Sequence, residues 1–589
     1  HALFRVGGAA ARSDLPLPAR RWTRLVANYD PLAGSIGLVQ QTRAGSIAER
    51  NVETVATAPV PSGWAGTGDG PLLFAALGGH GLHAHYNGKI AAPAVRVDAR
   101  DCARWDFRPG PAGPTVPDLA GSHAGRLLNL PTRAVTGPGW TGDFHDWRAA
   151  PDQYDAIHFH EDDLYDAEWE VSHRLSVPAD WPSGYYAIRL KLGDDVSFLP
   201  LLVRPAPGVA TAPLAVMAST LTSIAYANYR FHLDVDSNEV SLGRVALLSP
   251  EDVFLCESRE VGLSTYDLHL DGSPVRHSSR LRPVVNNWPG GEVWNLNADT
   301  HILAWLDRLG QPFDLITDED LHREGASLLG RYRAVLAGSH PEYWTTPMWD
   351  GLSSYLGQGG RLLYFGGNGF YWRTAMSAEW PGAIEIRRAE GGGRYTAEEP
   401  GHYHSAFTGE LHGLWRRSGR PPNAMVGVGT RGIGFDGIGH YRRTPQSRDP
   451  RVSWLFDGVE GDTFGAEGLL GCAAGSEIDA TDLSLGTPAH ALVVAASEGH
   501  TDAMQPMPED IRMPHPAMSA LHNPDIRAEI TFFETAGGGA VLSCGSLSWP
   551  AAIAYADFRN DVARISENAL CRFLDPSPFP DPSPFLPPD

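Results

Sequence analysis

The pattern of hydrophobic and polar positions changes near residue 205. Before that point, short alternating or apolar segments, such as residues 24–27, 72–76 and 185–191, are separated by clusters of Gly, Pro and Asp. Such spacing without a long helical period is typical of strands joined by turns. We therefore predict that residues 1–205 form a β-sandwich region, which Pro205-Ala-Pro-Gly208 separates from the rest of the chain.

From about residue 210, strand-like runs alternate with helix-like ones, which indicates an α/β domain with a parallel sheet. Strands are predicted at residues 214–218, 313–316, 334–337 and 361–365. Helices are predicted over residues 300–309, with Asp299 as N-cap and Gly310 at the end, through Trp349, Leu352 and Leu356, and through Val562, Ile565 and Ala569. The α/β domain is expected to span residues 210–574, followed by an extended proline-rich tail at 575–589.

Composition narrows the class of protein. A chain of 589 residues is too long for one hydrophobic core. Its net charge of -22 argues against nucleic-acid or anionic-membrane partners, which need basic surfaces. No apolar run approaches the roughly 20 residues that span a bilayer. The five cysteines form no CxxC pair and the first residues lack the layout of a secretion signal, so we expect a reducing, cytoplasmic location.

Polar residues follow the predicted strands of the α/β domain. In open parallel sheets, ligands bind beyond the carboxyl ends of the strands. The candidates are Thr222 and Tyr226 after the first strand, the segment Gly338-Ser-His-Pro-Glu-Tyr-Trp344, the segment Gly366-Gly-Asn-Gly-Phe-Tyr-Trp372, and Glu477 after an apolar stretch at 469–474. We therefore predict a site that collects phenol, imidazole, carboxylate and amide groups at one edge of the sheet.

His340-Pro-Glu342 is the sharpest of these motifs. In an extended segment, residues i and i+2 point the same way, so the imidazole and the carboxylate would converge on one ion or substrate. Pro341 favours an extended His340. The alternative is a surface or capping pair. The glycines around Asn368 would let backbone approach a ligand or simply form a tight turn, and they lack the lysine of a phosphate-binding loop.

A second cluster lies in the predicted β region. His158 and His160 alternate along one strand face, and Asp163 follows. Imidazole and carboxylate groups together suit a metal ion. The alternative is an acidic strand edge or a loop at a domain contact.

Several longer motifs of this chain resemble those of a known protein family. They are Arg21-Trp22, Tyr29-Asp-Pro31, Tyr86-Asn-Gly-Lys-Ile90, Trp105-Asp-Phe107, Thr265-Tyr-Asp-Leu-His-Leu-Asp-Gly272, Ser279-Arg-Leu-Arg-Pro283, Ser339-His-Pro-Glu-Tyr-Trp344 and Gly366-Gly-Asn-Gly-Phe-Tyr-Trp-Arg373. With these motifs the chain resembles the large (β) subunit family of N,N-dimethylformamidase over essentially its whole length. The resemblance implies a laminin-G-like or lectin-like jelly roll, followed by a glutamine-amidotransferase-like, Rossmann-type α/β domain without that family's cysteine nucleophile.

The resemblance also implies a site and an activity. A mononuclear ferric ion, Fe(III), would be held by Tyr226, Tyr266 and Glu342, with Tyr229 as a rival to Tyr226. His340, Asn368 and Glu477 would be the catalytic or supporting residues. Phenolate and carboxylate are hard anionic donors, which suit a trivalent ion in Lewis-acid chemistry. The expected activity is hydrolysis of small N-substituted amides, such as N,N-dimethylformamide, to an amine and a carboxylate.

Partners and rival functions complete the expectations. The family's large subunit works with a small helical subunit in an α2β2-type assembly, and a homo-oligomer is the alternative. One rival function is a non-haem ferrous oxygenase, in which His340 and Glu342 bind iron with His402 or His404. The other is a carbohydrate-binding protein whose jelly roll does the binding and whose α/β domain is degenerate.

Overall fold

The computed structural model describes residues 1–45, 49–61, 70–78, 81–230, 248–288, 290, 295–390, 394–511, 513 and 515–585. The chain divides into two compact units, residues 1–85 and 86–589. Within the described ranges the strands form nine sheets, so the molecule is rich in β-structure. The first unit is shorter than the predicted β-sandwich region of residues 1–205.

The first unit holds two small antiparallel sheets. Its strands are β1 (Leu3–Val6), β2 (Ala9–Arg12), β3 (Thr23–Asp30), β4 (Ser35–Thr42) and β5 (Val52–Pro59). β1 pairs with β2, and β3, β4 and β5 form a meander around Ile36 and Leu38, which are buried. Residues 72–76 are not a strand, so that prediction was wrong. An apolar run becomes a strand only where a neighbouring strand pairs with it.

The second unit begins with further small sheets. Its first strands are β6 (Gly88–Ala91), β7 (Ala94–Val97), β8 (Arg100–Arg104), β9 (Thr115–Val116), β10 (Gly125–Arg126), β11 (Thr132–Val135), β12 (Ala156–Phe159), β13 (Gly184–Leu192) and β14 (Asp195–Val203). β12 pairs with β6 and β11, and β13 with β14. Trp105, Phe107 and Ile157 belong to the core of this part.

The remaining elements build the large sheet and its surroundings. The strands are β15 (Leu214–Ala218), β16 (His277–Ser279), β17 (Asp314–Thr317), β18 (Ala334–Ala337), β19 (Tyr343–Trp344), β20 (Arg361–Tyr364), β21 (Trp372–Met376), β22 (Ala383–Ile386), β23 (Gly413–Leu414), β24 (Gly429–Gly434), β25 (His440–Arg443), β26 (Thr463–Phe464), β27 (Ser476–Ala480), β28 (Leu492–Glu498), β29 (Gln505–Pro506), β30 (Glu529–Thr535) and β31 (Gly539–Ser543). The helices are α1 (Thr220–Ala225), α2 (Pro250–Glu257), α3 (Leu296–Leu309), α4 (Asp318–Glu324), α5 (Ala326–Leu329), α6 (Thr346–Gly357), α7 (Pro422–Val426), α8 (Trp549–Phe558) and α9 (Asp561–Leu574).

A nine-stranded sheet forms the centre of this unit, in the order β17-β15-β18-β20-β31-β30-β28-β25-β26. The pairs among its first five strands are parallel, and the remaining pairs are antiparallel. Alternate residues of β15 enter two different cores, Val216 with Trp305 of α3 and Met217 with Leu352 of α6. Burial on both faces explains why the parallel strands are continuous apolar runs.

Most of the predicted elements of this sheet are confirmed. The strands at 214–218 and 334–337 have the predicted bounds, and those at 314–317 and 361–364 differ by one residue. α3 begins at Leu296, with Asn295 at the N-cap position, so Asp299 lies in its first turn and the predicted Asp299 cap was wrong. Gly310 ends α3 in a left-handed conformation (φ 64°), as predicted. In the tail, Phe579 is buried against Phe573 of α9.

No helix in the described part of the chain combines the length and the apolar character needed to cross a membrane.

The central sheet should depend on its buried strand residues. Leu336 of β18 is fully buried, so Leu336→Ala should lower the free energy of unfolding by about 2–5 kcal/mol through lost burial and a residual cavity. Leu483 is 73% exposed, and Leu483→Ala should change the free energy of unfolding by less than about 0.5 kcal/mol. Urea unfolding followed by tryptophan fluorescence measures both. Equal effects of the two substitutions would contradict the described core.

Candidate functional site

The chain reverses direction across the sheet between β15 and β18. From β15 the chain continues to β17 towards one edge of the sheet, and from β18 it continues to β20 towards the other. In open α/β sheets, ligands bind beyond the carboxyl ends of two such strands. α1 follows β15 and carries Thr222, whose Oγ1 accepts a hydrogen bond from the backbone N–H of Glu342 at 3.1 Å. The segments after β15 and β18 are thereby joined.

Buried phenols and a carboxylate meet beyond the carboxyl ends of these two strands. The hydroxyl of Tyr266 lies 2.8 Å from that of Tyr226 and 3.2 Å from Oε1 of Glu342. The hydroxyl of Tyr343 lies 2.6 Å from that of Tyr266. All four side chains are buried. The structure therefore brings together the three residues that the resemblance named as metal ligands and adds Tyr343. We call these four residues the phenol–carboxylate cluster.

His340 stands between two carboxylates. Its Nε2 lies 3.3 Å from Oε2 of Glu342 and 3.1 Å from Oε2 of Glu477. The imidazole and the carboxylate of the His-Pro-Glu motif thus lie together, but through a tight turn, in which the N–H of Glu342 donates to the carbonyl oxygen of His340 at 2.9 Å, and not through the predicted extended segment. Glu477 reaches this position differently from the prediction, because residues 469–474 are not a strand and Glu477 lies inside β27. There it pairs with Ile433 of β24 in a small antiparallel sheet.

Asn368 lies on a loop whose path past Glu477 requires glycine at position 367. A Cβ on Gly367 would lie 2.4 Å from the carbonyl oxygen of Glu477, so the two backbones touch. Asn368 has a positive φ of 51°, and its N–H donates to Oδ1 of Asp479 at 2.8 Å. Its Oδ1 accepts from Thr430 at 3.2 Å. Within the described residues its Nδ2 has no hydrogen-bond partner, which leaves a buried donor available to a ligand.

Two arginines that the sequence did not single out contact the cluster. Arg388 donates through Nη2 to the hydroxyl of Tyr343 at 2.7 Å, and its guanidinium lies 4.3 Å from the centre of the Tyr266 ring. The guanidinium of Arg394 lies 5.9 Å from the same ring and pairs with Glu509. Both belong to the Arg-rich stretch between 385 and 395, whose pattern matched neither a strand nor a helix.

Burial dominates the electrostatics of the phenol–carboxylate cluster. It raises the pKa of Tyr226 and Tyr266 well above the usual value, and the charge of Glu342 raises both further. Burial also raises the pKa of Glu342 to about 7, although His340 counteracts it. In the described part of the chain, Oε2 of Glu342 makes no hydrogen bond of good geometry. Cationic charge at this point would therefore be strongly stabilising.

The spacing of the donor atoms fits a single ion. Oxygen ligands that share a first-row metal at about 2.0–2.2 Å lie about 3 Å from one another. The Tyr226–Tyr266 and Tyr266–Glu342 separations of 2.8 and 3.2 Å match that value. Phenolate and carboxylate oxygens are hard donors, so the donor set favours a hard cation over a soft one.

The remaining candidates occupy other positions. Tyr229 is buried, and its ring centre lies 5.1 Å from that of Tyr266, whereas it is the hydroxyl of Tyr226 that meets the hydroxyl of Tyr266. Nε2 of His402 accepts from the backbone N–H of Thr136 at 3.0 Å, and Nδ1 of His404 lies 2.9 Å from the carbonyl oxygen of His145. Both imidazoles are thus engaged with residues outside the His340–Glu342 pair.

Comparison with known proteins finds a matching family and two similar proteins. Residues 132–563 match the model of a family described as N,N-dimethylformamidase beta subunit-like, C-terminal. The chain is 35% identical over 614 aligned positions to the N,N-dimethylformamidase beta subunit of an Alcaligenes species, an alignment that covers 96% of this chain and 80% of the relative. The N,N-dimethylformamidase beta subunit of Paracoccus aminophilus matches with the same identity and coverage.

A buried carboxyl behind His340 should make stability depend on pH. Oδ1 of Asp299 accepts from N and Oγ of Ser339 at 2.9 and 3.0 Å, but burial is the larger effect and raises the pKa of Asp299 from 3.8 to about 6. The folded state then binds this proton more tightly than the unfolded state does. The resulting stabilisation is complete below roughly pH 4 and is lost as the pH rises through about 6.

Asp299→Asn should remove this contribution. The stability of the variant relative to the unsubstituted protein should therefore rise between pH 4 and pH 7. Urea midpoints measured across that range test it, with Asp195→Asn, a substitution of an exposed carboxyl, as the matched control. A difference that stays constant with pH would contradict the described environment of Asp299.

Proposed function

The chain belongs to the family of N,N-dimethylformamidase β subunits, and we propose that it is an iron-dependent amidohydrolase of small N-substituted amides such as N,N-dimethylformamide. At the level of the family it is a hydrolase of amide C–N bonds. The products would be an amine and a carboxylate. The observation that carries the iron dependence is the convergence of the buried side chains of Tyr226, Tyr266 and Glu342.

Tyr226, Tyr266 and Glu342 would hold a mononuclear ferric ion. The fit rests on their spacing of about 3 Å, on their hard oxygen donors and on Oε2 of Glu342, which makes no hydrogen bond of good geometry with the described residues. Once bound, the ion would supply Lewis acidity, which polarises an amide carbonyl and makes water more acidic. Arg388, against Tyr343 and the Tyr266 ring, would help to keep the phenols deprotonated.

Glu477 is the proposed general base. Its carboxylate faces His340 across 3.1 Å and is positioned to take the proton of the attacking water. His340, between Glu477 and Glu342, would orient both carboxylates and is the second candidate for proton transfer. Glu477 would then return the proton to the amide nitrogen, so that the C–N bond breaks and a neutral amine leaves.

Asn368 is the proposed stabiliser of the tetrahedral intermediate. Its buried Nδ2 has no partner in the described part of the chain and can donate to the developing oxyanion. Asp479 and Thr430 fix its backbone and its Oδ1, so the donor is oriented before substrate arrives. Removal of one such donor typically costs about 10²–10³ in rate.

The finer fold assignment and the assembly are also proposals. A jelly-roll β-sandwich region at 1–205, a glutamine-amidotransferase-like, Rossmann-type domain at 210–574 and a tail at 575–589 remain the domain organisation we favour. The parallel strands with cores on both faces support the second assignment. Because the relatives are named β subunits, we further propose a partner subunit in an α2β2-type assembly, and a cytoplasmic location.

Two isosteric substitutions should separate metal binding from proton transfer. Glu342→Gln removes an anionic ligand, so the purified variant should lack iron and activity. Glu477→Gln should keep the iron and lower kcat by about 10²–10⁴, which is the usual contribution of a general base. Iron analysis and amine release from N,N-dimethylformamide, with any partner subunit co-expressed, measure these effects. An active, iron-free Glu342→Gln protein would refute the ligand assignment.

The two neighbouring tyrosines provide a second test. Tyr226→Phe should weaken and shift the visible phenolate-to-iron absorption band, because one of two coordinating phenolates is lost. Tyr229→Phe removes a hydroxyl from an equally buried ring nearby and should leave the band in place. The opposite pattern would make Tyr229 the ligand.

A further inference from the structure

A second group of metal-binding side chains lies apart from the phenol–carboxylate cluster. β12 and the residue that follows it supply His158 and His160, and the turn five residues after Tyr266 supplies Asp271. Nε2 of His158 lies 2.7 Å from Oδ2 of Asp271, and Nε2 of His160 lies 3.9 Å from the same oxygen. One ligand atom from each residue lies within 4.8 Å of the other two.

Surrounding side chains orient these three groups. Nδ1 of His160 lies 3.1 Å from Oδ2 of Asp163, so a proton on Nδ1 leaves Nε2, which lies 3.0 Å from Oγ of Ser273, with a lone pair for an ion. A carboxylate behind an imidazole is the usual support of a metal-binding histidine. Oδ1 of Asp271 accepts from N and Oγ of Ser273 at 2.9 and 2.6 Å, so Oδ2, which faces Nε2 of His158 at 2.7 Å, is the oxygen that an ion would bind.

Packing holds the imidazoles in place. The ring of His269 stacks on that of His160 with centres 3.6 Å apart and planes at 3°, and Nδ1 of His269 lies 2.6 Å from Oδ1 of Asp162. His158 and His160 are buried, whereas Asp271 is half-buried and gives access from solvent. The donors are therefore preorganised and reachable, as a metal site requires.

We propose that His158, His160 and Asp271 bind a divalent transition-metal ion, with zinc as the ion that best suits the donors. Imidazole nitrogens and carboxylate oxygens are common protein ligands of zinc, and a water molecule would complete a tetrahedron. The ion would clip β12 to the segment that carries Tyr266 and would serve a structural purpose. The site shares no residue with the phenol–carboxylate cluster and does not rest on the proposed amidohydrolase activity.

The test measures zinc uptake by the full-length protein. The protein is treated with a chelator, and zinc binding is followed by calorimetry while zinc and iron are counted in the same samples. We expect one zinc ion per chain in the unsubstituted protein, beyond any iron. Asp163→Asn should weaken its affinity by about 10–100-fold, the usual cost of losing a carboxylate that supports a ligand. Asp271→Asn and His158→Gln should abolish uptake and leave the iron content unchanged.

His123→Gln is the matched control, because His123 is an exposed imidazole whose Nδ1 lies 3.3 Å from Asp118. It should bind zinc like the unsubstituted protein. Cobalt(II) is also added to the metal-free protein without any mutation, so that no folding defect of a variant can affect the result. Cobalt in a tetrahedral site of nitrogen and oxygen ligands gives a visible d–d absorption band. Absence of zinc and cobalt uptake, or uptake that Asp271→Asn and His158→Gln do not change, would overturn the proposal. An iron-free protein that takes up zinc through Asp271 would refute the proposed function and support this site.

Discussion

The carboxylate of Glu342 is almost completely buried, and its neighbours compensate part of the free-energy cost of that burial. An isolated buried charge is strongly unfavourable unless hydrogen bonds and opposite charge compensate it. His340 and Tyr266 lie next to the carboxylate, and Arg388 contacts Tyr343 and the Tyr266 ring. One carboxylate oxygen still makes no good hydrogen bond with the described residues. The cation that we propose among the phenols would supply the missing compensation.

The fold supplies the position and the rigidity that such a site needs. Tyr226 and Glu342 follow two neighbouring parallel strands, whose connections run towards opposite edges of the sheet, so both residues lie beyond the same carboxyl ends. Gly367 allows the Asn368 loop to touch the backbone of Glu477. The side chains therefore come from separate segments that the sheet fixes relative to one another, which is how preorganised sites avoid reorganisation during a reaction.

The sequence predicted the parts of this arrangement that depend on local pattern. Apolar runs located β15 and β18, and the i, i+2 spacing of His340 and Glu342 predicted their convergence, although not the tight turn that produces it. Arg388 was missed because nothing local distinguishes a buried arginine, and its contacts with Tyr343 and Tyr266 join distant segments. The strand β27 around Glu477 was not predicted for a related reason, since its partner strand β24 lies far from it in the sequence.

The metal content and visible absorption spectrum of the purified protein test the central claim most directly. Buried phenols beside a carboxylate can bind a hard ion only if the phenols are deprotonated. Phenolates bound to ferric iron absorb visible light. The account predicts a coloured protein with a single iron ion per chain and a phenolate-to-iron charge-transfer band. A colourless protein without iron, active or not, would contradict it.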